Sequence, residues 1–266
     1  MGIKKITSAC YAERAGARKR LLFSTIFLLF CSPVFAQSTF KVLAFYSNTV
    51  ERDHVVFKRD ALKYFARLAE KKHFTFDSTT HWSDMNEEKL RDYQVVMWIN
   101  DFPQNPAQRA VFEKYMESGG GWLGFHVAAY NDRYTKWPWY LAFLGGGVFH
   151  MNNWPPLPVQ LIVDNRKHPV THRMPAVYRA PANEWYTWEP SPRLNKDVTV
   201  LVTLDPVNYP LGIKDQIRGG DTPVVWTNNK YNMLYMNMGH GSHIFTSDLQ
   251  NKMFGDAILW LGRKNK

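Results

Sequence analysis

The chain has 266 residues, with 33 Lys and Arg, 23 Asp and Glu, and only two cysteines. Its formal charge of +10 is not gathered into a Lys/Arg-rich block, which excludes the basic stripe of a nucleic-acid-binding protein. The length suits one α/β domain, with or without a sizeable insertion, and no internal repeat or low-complexity segment interrupts it.

Residues 1–36 read as a secretory signal peptide. Arg18, Lys19 and Arg20 precede an apolar run from Leu21 to Phe30; Ser32 and Pro33 break the run, and Val34-Phe35-Ala36 offers a cleavage site. Ten apolar residues are too few to cross a hydrocarbon layer of roughly 30 Å as a helix, so a membrane anchor is the weaker reading. Acylation at Cys31 is disfavoured by the bulky Phe30 before it. The expectation is an exported protein, periplasmic or extracellular, without stable membrane insertion after cleavage. The leader carries six of the 33 basic residues, one of the 23 acidic residues and both cysteines, Cys10 and Cys31. The chain from Gln37 onward therefore has 27 basic and 22 acidic side chains, a charge of +5, and no cysteine. A disulfide framework and thiolate chemistry are both excluded there.

From Gln37 to the end, a single domain is expected. Lys41 to Tyr46 reads as a short apolar strand, and a helix follows from near His54. In that helix Leu62, Phe65, Ala66 and Ala69 fall at i, i+3, i+4, i+7, predicting one buried face. Phe74 to Phe76 is a second strand, and Gln94 to Ile99 is a continuous apolar run suited to a strand covered on both faces. Asn105-Pro106 predicts an N-cap followed by proline at the first helical position, and Gly119-Gly120-Gly121 stops that helix. Trp122 to His126 is the next strand. Alternating strands and helices imply parallel pairing by right-handed crossovers, a doubly wound, mostly parallel α/β fold. Pro155 to Pro192, rich in Pro and Trp, reads as an irregular insertion of loops and short antiparallel strands. Val198 to Leu204, Pro223 to Thr227 and Met233 to Met238 are further strands, and Leu249 to Leu261 is a closing helix with Phe254, Ala257, Ile258 and Leu261 on one face.

Ligands of open α/β sheets bind beyond the carboxyl ends of the strands. That rule selects Ser47 and Asn48, Asn100 and Asp101, and His126. Gly124-Phe125-His126 stands where a hydrolase or amidotransferase of this architecture carries a nucleophile elbow, but with histidine in place of serine or cysteine. No Gly-x-Ser-x-Gly is present.

Five segments in order, GGGWLGFH (Gly119 to His126), GGGVFH (Gly145 to His150), NEWY (Asn183 to Tyr186), PVVW (Pro223 to Trp226) and MGH (Met238 to His240), resemble the trehalose-utilisation (ThuA-like) family. The resemblance runs from about Lys41 to the final helix. It implies a flavodoxin-like sheet of the class I glutamine amidotransferase type without the catalytic cysteine, and a role in carbohydrate metabolism on oxidised (3-keto) glycosides. The sequence departs from the family at Thr227-Asn228-Asn229-Lys230, where a glycine-rich, arginine-bearing turn is usual.

His126, at a strand end, suits a general base or a metal ligand; the alternative is a polar cap on the sheet. Glu184, among Trp185, Tyr186 and Trp188, suits an acid or base, or a carboxylate that holds a histidine. With His240 these form the expected catalytic set. Asn48, His150, Trp154, Trp185 and Tyr186 are expected to contact a saccharide; among Trp137, Trp139 and Trp154, one or two are expected to stack on it, core packing accounting for most of the ten tryptophans. His168 and His172 flank Pro169 in a loop and do not read as paired zinc ligands. His243 is a weaker candidate for the cleft. His54, His73 and His81 read as surface or structural residues. No cofactor is required, although a divalent metal such as zinc among His126, His150, Glu184 or His240 would serve in place of acid–base chemistry. The partner expected is a small-molecule saccharide or keto-glycoside. A non-catalytic carbohydrate-binding protein and an interaction module are the rivals, and the sequence sets no oligomeric state.

Overall fold

A computed structural model describes residues 40–132 and 134–263. The leader expected over residues 1–36, with Cys10 and Cys31, lies outside them. In chain order the elements are β1 (Lys41–Tyr46), α1 (Arg52–Lys72), β2 (Thr75–Thr79), α2 (Glu87–Leu90), β3 (Val95–Ile99), α3 (Pro106–Glu117), β4 (Gly121–Phe125), α4 (Pro138–Phe143), β5 (Phe149–Asn152), β6 (Leu157–Val163), β7 (Val177–Asn183), β8 (Tyr186–Trp188), β9 (Val198–Leu204), β10 (Pro223–Asn228), β11 (Asn232–Met236) and α5 (Asp248–Arg263).

A nine-stranded sheet has the order β2-β1-β3-β4-β11-β10-β9-β6-β7. From β2 to β11 all neighbours are parallel; from β11 to β7 all are antiparallel. The expected doubly wound α/β architecture is therefore present. The Pro/Trp-rich insertion supplies β6 and β7 at the antiparallel edge, and β8, which pairs with β5 in a separate two-stranded sheet.

Every residue of β3 and β4 is buried, as their apolar composition requires. Alternate side chains feed two cores. Val95, Met97, Ile99, Leu123 and Phe125 pack with Phe57 and Phe65 of α1 and Phe254 and Ile258 of α5. Val96, Trp98 and Trp122 pack on the other face with Phe112 of α3 and Tyr140 and Phe143 of α4. Each fully buried aromatic contributes about 1.5–3 kcal/mol, so the sheet is held without a covalent crosslink between its layers.

The α5 face is as expected, with Phe254, Ala257, Ile258 and Leu261 all buried. The α1 face is rotated from the expectation. Its buried apolar stripe is Phe57, Ala61, Phe65 and Ala69, while Ala66 is exposed. A spacing of four residues per step fits 3.6 residues per turn as well as the predicted set does, and the larger Phe57 decides which stripe faces the sheet.

The strand register sets the functional level of the molecule. Ile99 of β3 and Met236 of β11 both stand beside Phe125 of β4. The next residues along, Asn100, His126 and Asn237, thus emerge together at the carboxyl edge of the sheet. The first turn of α1 enters over the same edge from β1.

A candidate active centre of histidine and glutamate

β4 ends one residue sooner than the sequence suggests, and His126 stands outside it. Its φ is +51°, after which a short 3-10 turn runs from His126 to Ala129. A histidine in the left-handed region costs of order 1–3 kcal/mol unless its surroundings fix it. They do. The ring is wholly buried, packs at 4.1 Å against the Tyr186 ring, and contacts the Asn237 carbonyl through Nδ1 at 2.8 Å. The backbone carbonyl of His126 accepts from the Tyr235 hydroxyl.

The Asn237 carbonyl at 2.8 Å is nearer to Nδ1 than the Asn237 Nδ2 donor at 3.4 Å, which favours a proton on Nδ1. Nε2 then faces Glu184 Oε2 at 3.3 Å. Two lone pairs would repel there, so a proton lies between them: the pair holds one proton in common, as imidazolium with carboxylate or as imidazole with carboxylic acid. Burial pushes the His126 imidazole below its ordinary value, against the opposing pull of the Glu184 carboxylate.

Glu184 is fixed from its other side. Asn152 donates to Oε1 at 2.6 Å, and the Tyr186 hydroxyl also bonds the carboxylate. The β5–β8 sheet makes this possible by placing Asn152 opposite Tyr186. Burial first, then the Glu184 charge, keeps the Tyr186 phenol far above its ordinary value, so it remains a donor.

Asn183, at the end of β7, clasps the centre. Its Oδ1 accepts from the amides of Gly239 and His240, each at 3.0 Å, and its Nδ2 donates to the carbonyls of Glu184 and Asn237. His240 is thereby held beside His126, with ring centroids 5.8 Å apart. Asn100, at φ +56°, donates to the Gly239 carbonyl at 2.7 Å. Gly239 is required: a Cβ there would lie 2.2 Å from His126 Cβ.

His54, which the sequence places among surface or structural residues, belongs to the centre. From the first turn of α1 its ring lies 5.2 Å from that of His126 and 5.0 Å from that of His240. Burial, with the nearby His126 and His240 rings, pushes its imidazole down to about 2. The signal was present in the sequence: His54 lies three residues before Phe57 and seven before Ala61, on the stripe that α1 buries. Glu51 and Asp53 were likewise missed. Glu51 caps α1, its Oε2 accepting from the amides of Asp53 and His54, and the same oxygen lies 3.5 Å from His240 Nε2.

The expected catalytic trio, His126, Glu184 and His240, is brought together, but access is uneven. The side chain of His126 is 0% exposed and that of His240 is 3%, against 15% for Glu184. Of that trio, Glu184 is the group a ligand can reach. The expected contact residues divide. Tyr186 and Trp154 border the centre, Trp154 with its ring edge-on to His240 at 6.3 Å. Trp185 does not: it is fully buried and its indole donates to the Leu157 carbonyl, because an unbroken apolar ring packs better beneath the sheet than beside a solvated ligand. His150 faces solvent and pairs with Glu189 at 3.3 Å, because the β-bulge between Phe149 and Met151 carries it out of the run that leads to Asn152. Asn48 is exposed and accepts from the Lys58 ammonium instead of facing the cluster. His172 bonds the Pro169 carbonyl in its loop, and His243 is exposed. Trp137 and Trp139 pack in the α3–α4 core. A groove of about 960 Å³ between α1 and α5, lined by Arg67, Lys71 and Trp260, shares none of the centre's residues.

The family model for ThuA, described as trehalose utilisation, matches residues 41–261. Among solved structures, a proposed ThuA-like protein from Bacteroides uniformis is 50% identical, with 87% of this chain and 95% of that one covered and a TM-score of 0.84. Another from Parabacteroides merdae is 16% identical over 84% of this chain and 90% of that one, with a TM-score of 0.61. A proposed GMP synthase subunit from Thermoplasma acidophilum shares the fold at 10% identity, 84% and 95% coverage and a TM-score of 0.50. No curated protein matches the chain.

Proposed function

The chain belongs to the ThuA family, and from that premise we propose that it is a carbohydrate-processing enzyme acting on oxidised (3-keto) glycosides. The observation that carries this reading is the 3.3 Å contact between His126 Nε2 and Glu184 Oε2, at the strand end where folds of this type carry a nucleophile. Both residues are suited to moving a proton.

In a 3-keto glycoside the C2–H bond lies next to the carbonyl and is acidified by it. Removal of that proton leaves an enolate across C2 and C3. The electron pair then expels the glycosidic oxygen from C1, and the departing oxygen takes up a proton. Water added to the resulting C1–C2 double bond completes cleavage. The reaction needs a base that becomes an acid, with no thiol, no covalent intermediate and no redox partner. Glu184 is the catalytic residue in this scheme because its carboxylate is the reachable member of the pair. His126 is a positioning residue that shares the proton from behind, and Trp154 supplies an exposed aromatic face, 40% accessible, for the apolar side of a sugar ring.

We further propose that the protein works outside the cytoplasm, on the strength of the leader pattern in residues 1–36. Among the described residues no helix is long and apolar enough to cross a membrane.

The test is product analysis with native and 3-keto disaccharides, using the wild-type protein and Glu184→Gln. Cleavage restricted to the keto substrates, and lowered at least 100-fold in Glu184→Gln, is the expected result. Binding of sugar without product from any of these glycosides would instead mark a non-catalytic carbohydrate-binding protein.

A further inference from the structure

We propose that Glu51, His54 and His240 form a binding site for a divalent transition cation of the zinc type, at the mouth of the centre whose floor is His126 and Glu184. The site rests on the keto-glycoside reading only for its use in turnover.

Three features of the molecule support the site. One ligand atom from each of the three residues lies within 4.8 Å of the others. The rings of His54 and His240 meet edge-on, with centroids 5.0 Å apart and planes at 87°. Two of their nitrogens, His54 Nε2 and His240 Nδ1, are buried and find no hydrogen-bond partner among the described residues. An unmade bond at a buried polar atom costs about 1–3 kcal/mol, so two in one place call for something to satisfy them. Asp53 Oδ2 is 3.8 Å from His240 Nδ1, too far for a hydrogen bond.

The donor set also selects the ion. Two imidazoles and one carboxylate, with an open fourth position, are the set of a catalytic zinc site, whereas calcium and magnesium favour oxygen alone. Tetrahedral ligation at about 2.0–2.1 Å brings donor atoms about 3.3 Å apart, within reach of small side-chain rotations. Glu51 is held in place by capping α1 through Oε2, which leaves Oε1 for an ion.

His54, His126 and Glu184 make a second triplet of the same compactness. There, however, His126 Nε2 and Glu184 Oε2 already satisfy each other, and Asn152 occupies Oε1. His240, whose Nδ1 lacks a partner, belongs to the mouth triplet alone. Glu51 is 53% exposed, so the fourth position opens towards solvent, where a carbonyl oxygen of a ligand would be polarised beside Glu184.

The experiment uses the purified protein, stripped with chelator and titrated with zinc chloride by calorimetry, with metal analysis after gel filtration. One zinc per chain is expected. Binding should weaken at least tenfold in His54→Ala, His240→Ala and Glu51→Gln, and stay unchanged in Glu184→Gln and in the surface control His172→Ala. Zinc should raise the Tm of the wild type and of Glu184→Gln, which also reports that each is folded. Glu51 is at the surface, so its variant keeps the test decisive even where a histidine variant does not fold. A folded wild type that takes up no stoichiometric zinc overturns the site; so does zinc lost in Glu184→Gln but kept in Glu51→Gln. Zinc binding is measured without sugar, so failure of the metal site leaves the keto-glycoside reading standing. An inactive wild type that binds zinc does the opposite.

Discussion

Gly239 and His126 touch across adjacent loops, and there is no room between them for a methyl group. A Cβ on Gly239 would lie 2.2 Å from His126 Cβ and 2.8 Å from Asn100 Oδ1. Gly239→Ala should therefore displace the buried imidazole, with a loss of about 1–3 kcal/mol of stability from overpacking. Urea unfolding checks this. A change below about 0.5 kcal/mol, the range of ordinary surface substitutions, would show that the loop yields and that the contact does not fix the ring.

Asn183 serves four backbone groups at once. Asn183→Ala leaves the amides of Gly239 and His240 without their acceptor inside the protein, and each such loss costs about 1–3 kcal/mol. Denaturant midpoints should fall accordingly. Asn183→Asp keeps the acceptor and should recover part of the loss; equal destabilisation by both variants would mean that the donated bonds dominate.

Because His126 is wholly buried, its removal should lower turnover without weakening ground-state binding. The expected signature of His126→Asn is a fall in kcat of at least tenfold with KM changed less than twofold. Steady-state kinetics on a 3-keto disaccharide measures both. A rise in KM with kcat unchanged would place the ring in contact with substrate and contradict its burial.

The two alanines of α1 separate its inner and outer faces. Ala61 is fully buried and Ala66 is exposed. Ala61→Glu should cost more than about 4 kcal/mol, or prevent folding, because an unpaired carboxylate enters the core. Ala66→Glu should alter stability by less than about 0.5 kcal/mol. Thermal unfolding of the pair decides between the observed stripe and the one that sequence periodicity suggests.

Much of the parallel half was legible because β3 and β4 are unbroken apolar runs between strong helix boundaries. Asn105 does accept from the Ala107 amide, with Pro106 opening α3 as expected. His126, Glu184 and His240 were selected by their place at strand ends and within short motifs, and they do converge. His54 was not selected, because a histidine at a helix start gains meaning only once the helix is laid across the sheet. His150 departs from the expectation for the converse reason. Its glycine-rich approach was visible in the sequence, but the bulge that turns it outward depends on the pairing of β5 with β8. Trp185 departs from the expectation because the side chain next to Glu184 in sequence points to the opposite side of the chain, into the core.

The order of the strands has a bearing on when the centre can form. β11, the last of the described strands in chain order, lies inside the sheet between β4 and β10. The Asn237 carbonyl that orients His126 follows it, 111 residues further along the chain. A ribosome that has completed the first four strands has made the histidine but none of Asn183, Glu184, Asn237 or His240. The cluster therefore cannot assemble until β11 has been made, and a chain truncated before it would carry the motif without the residues that orient it.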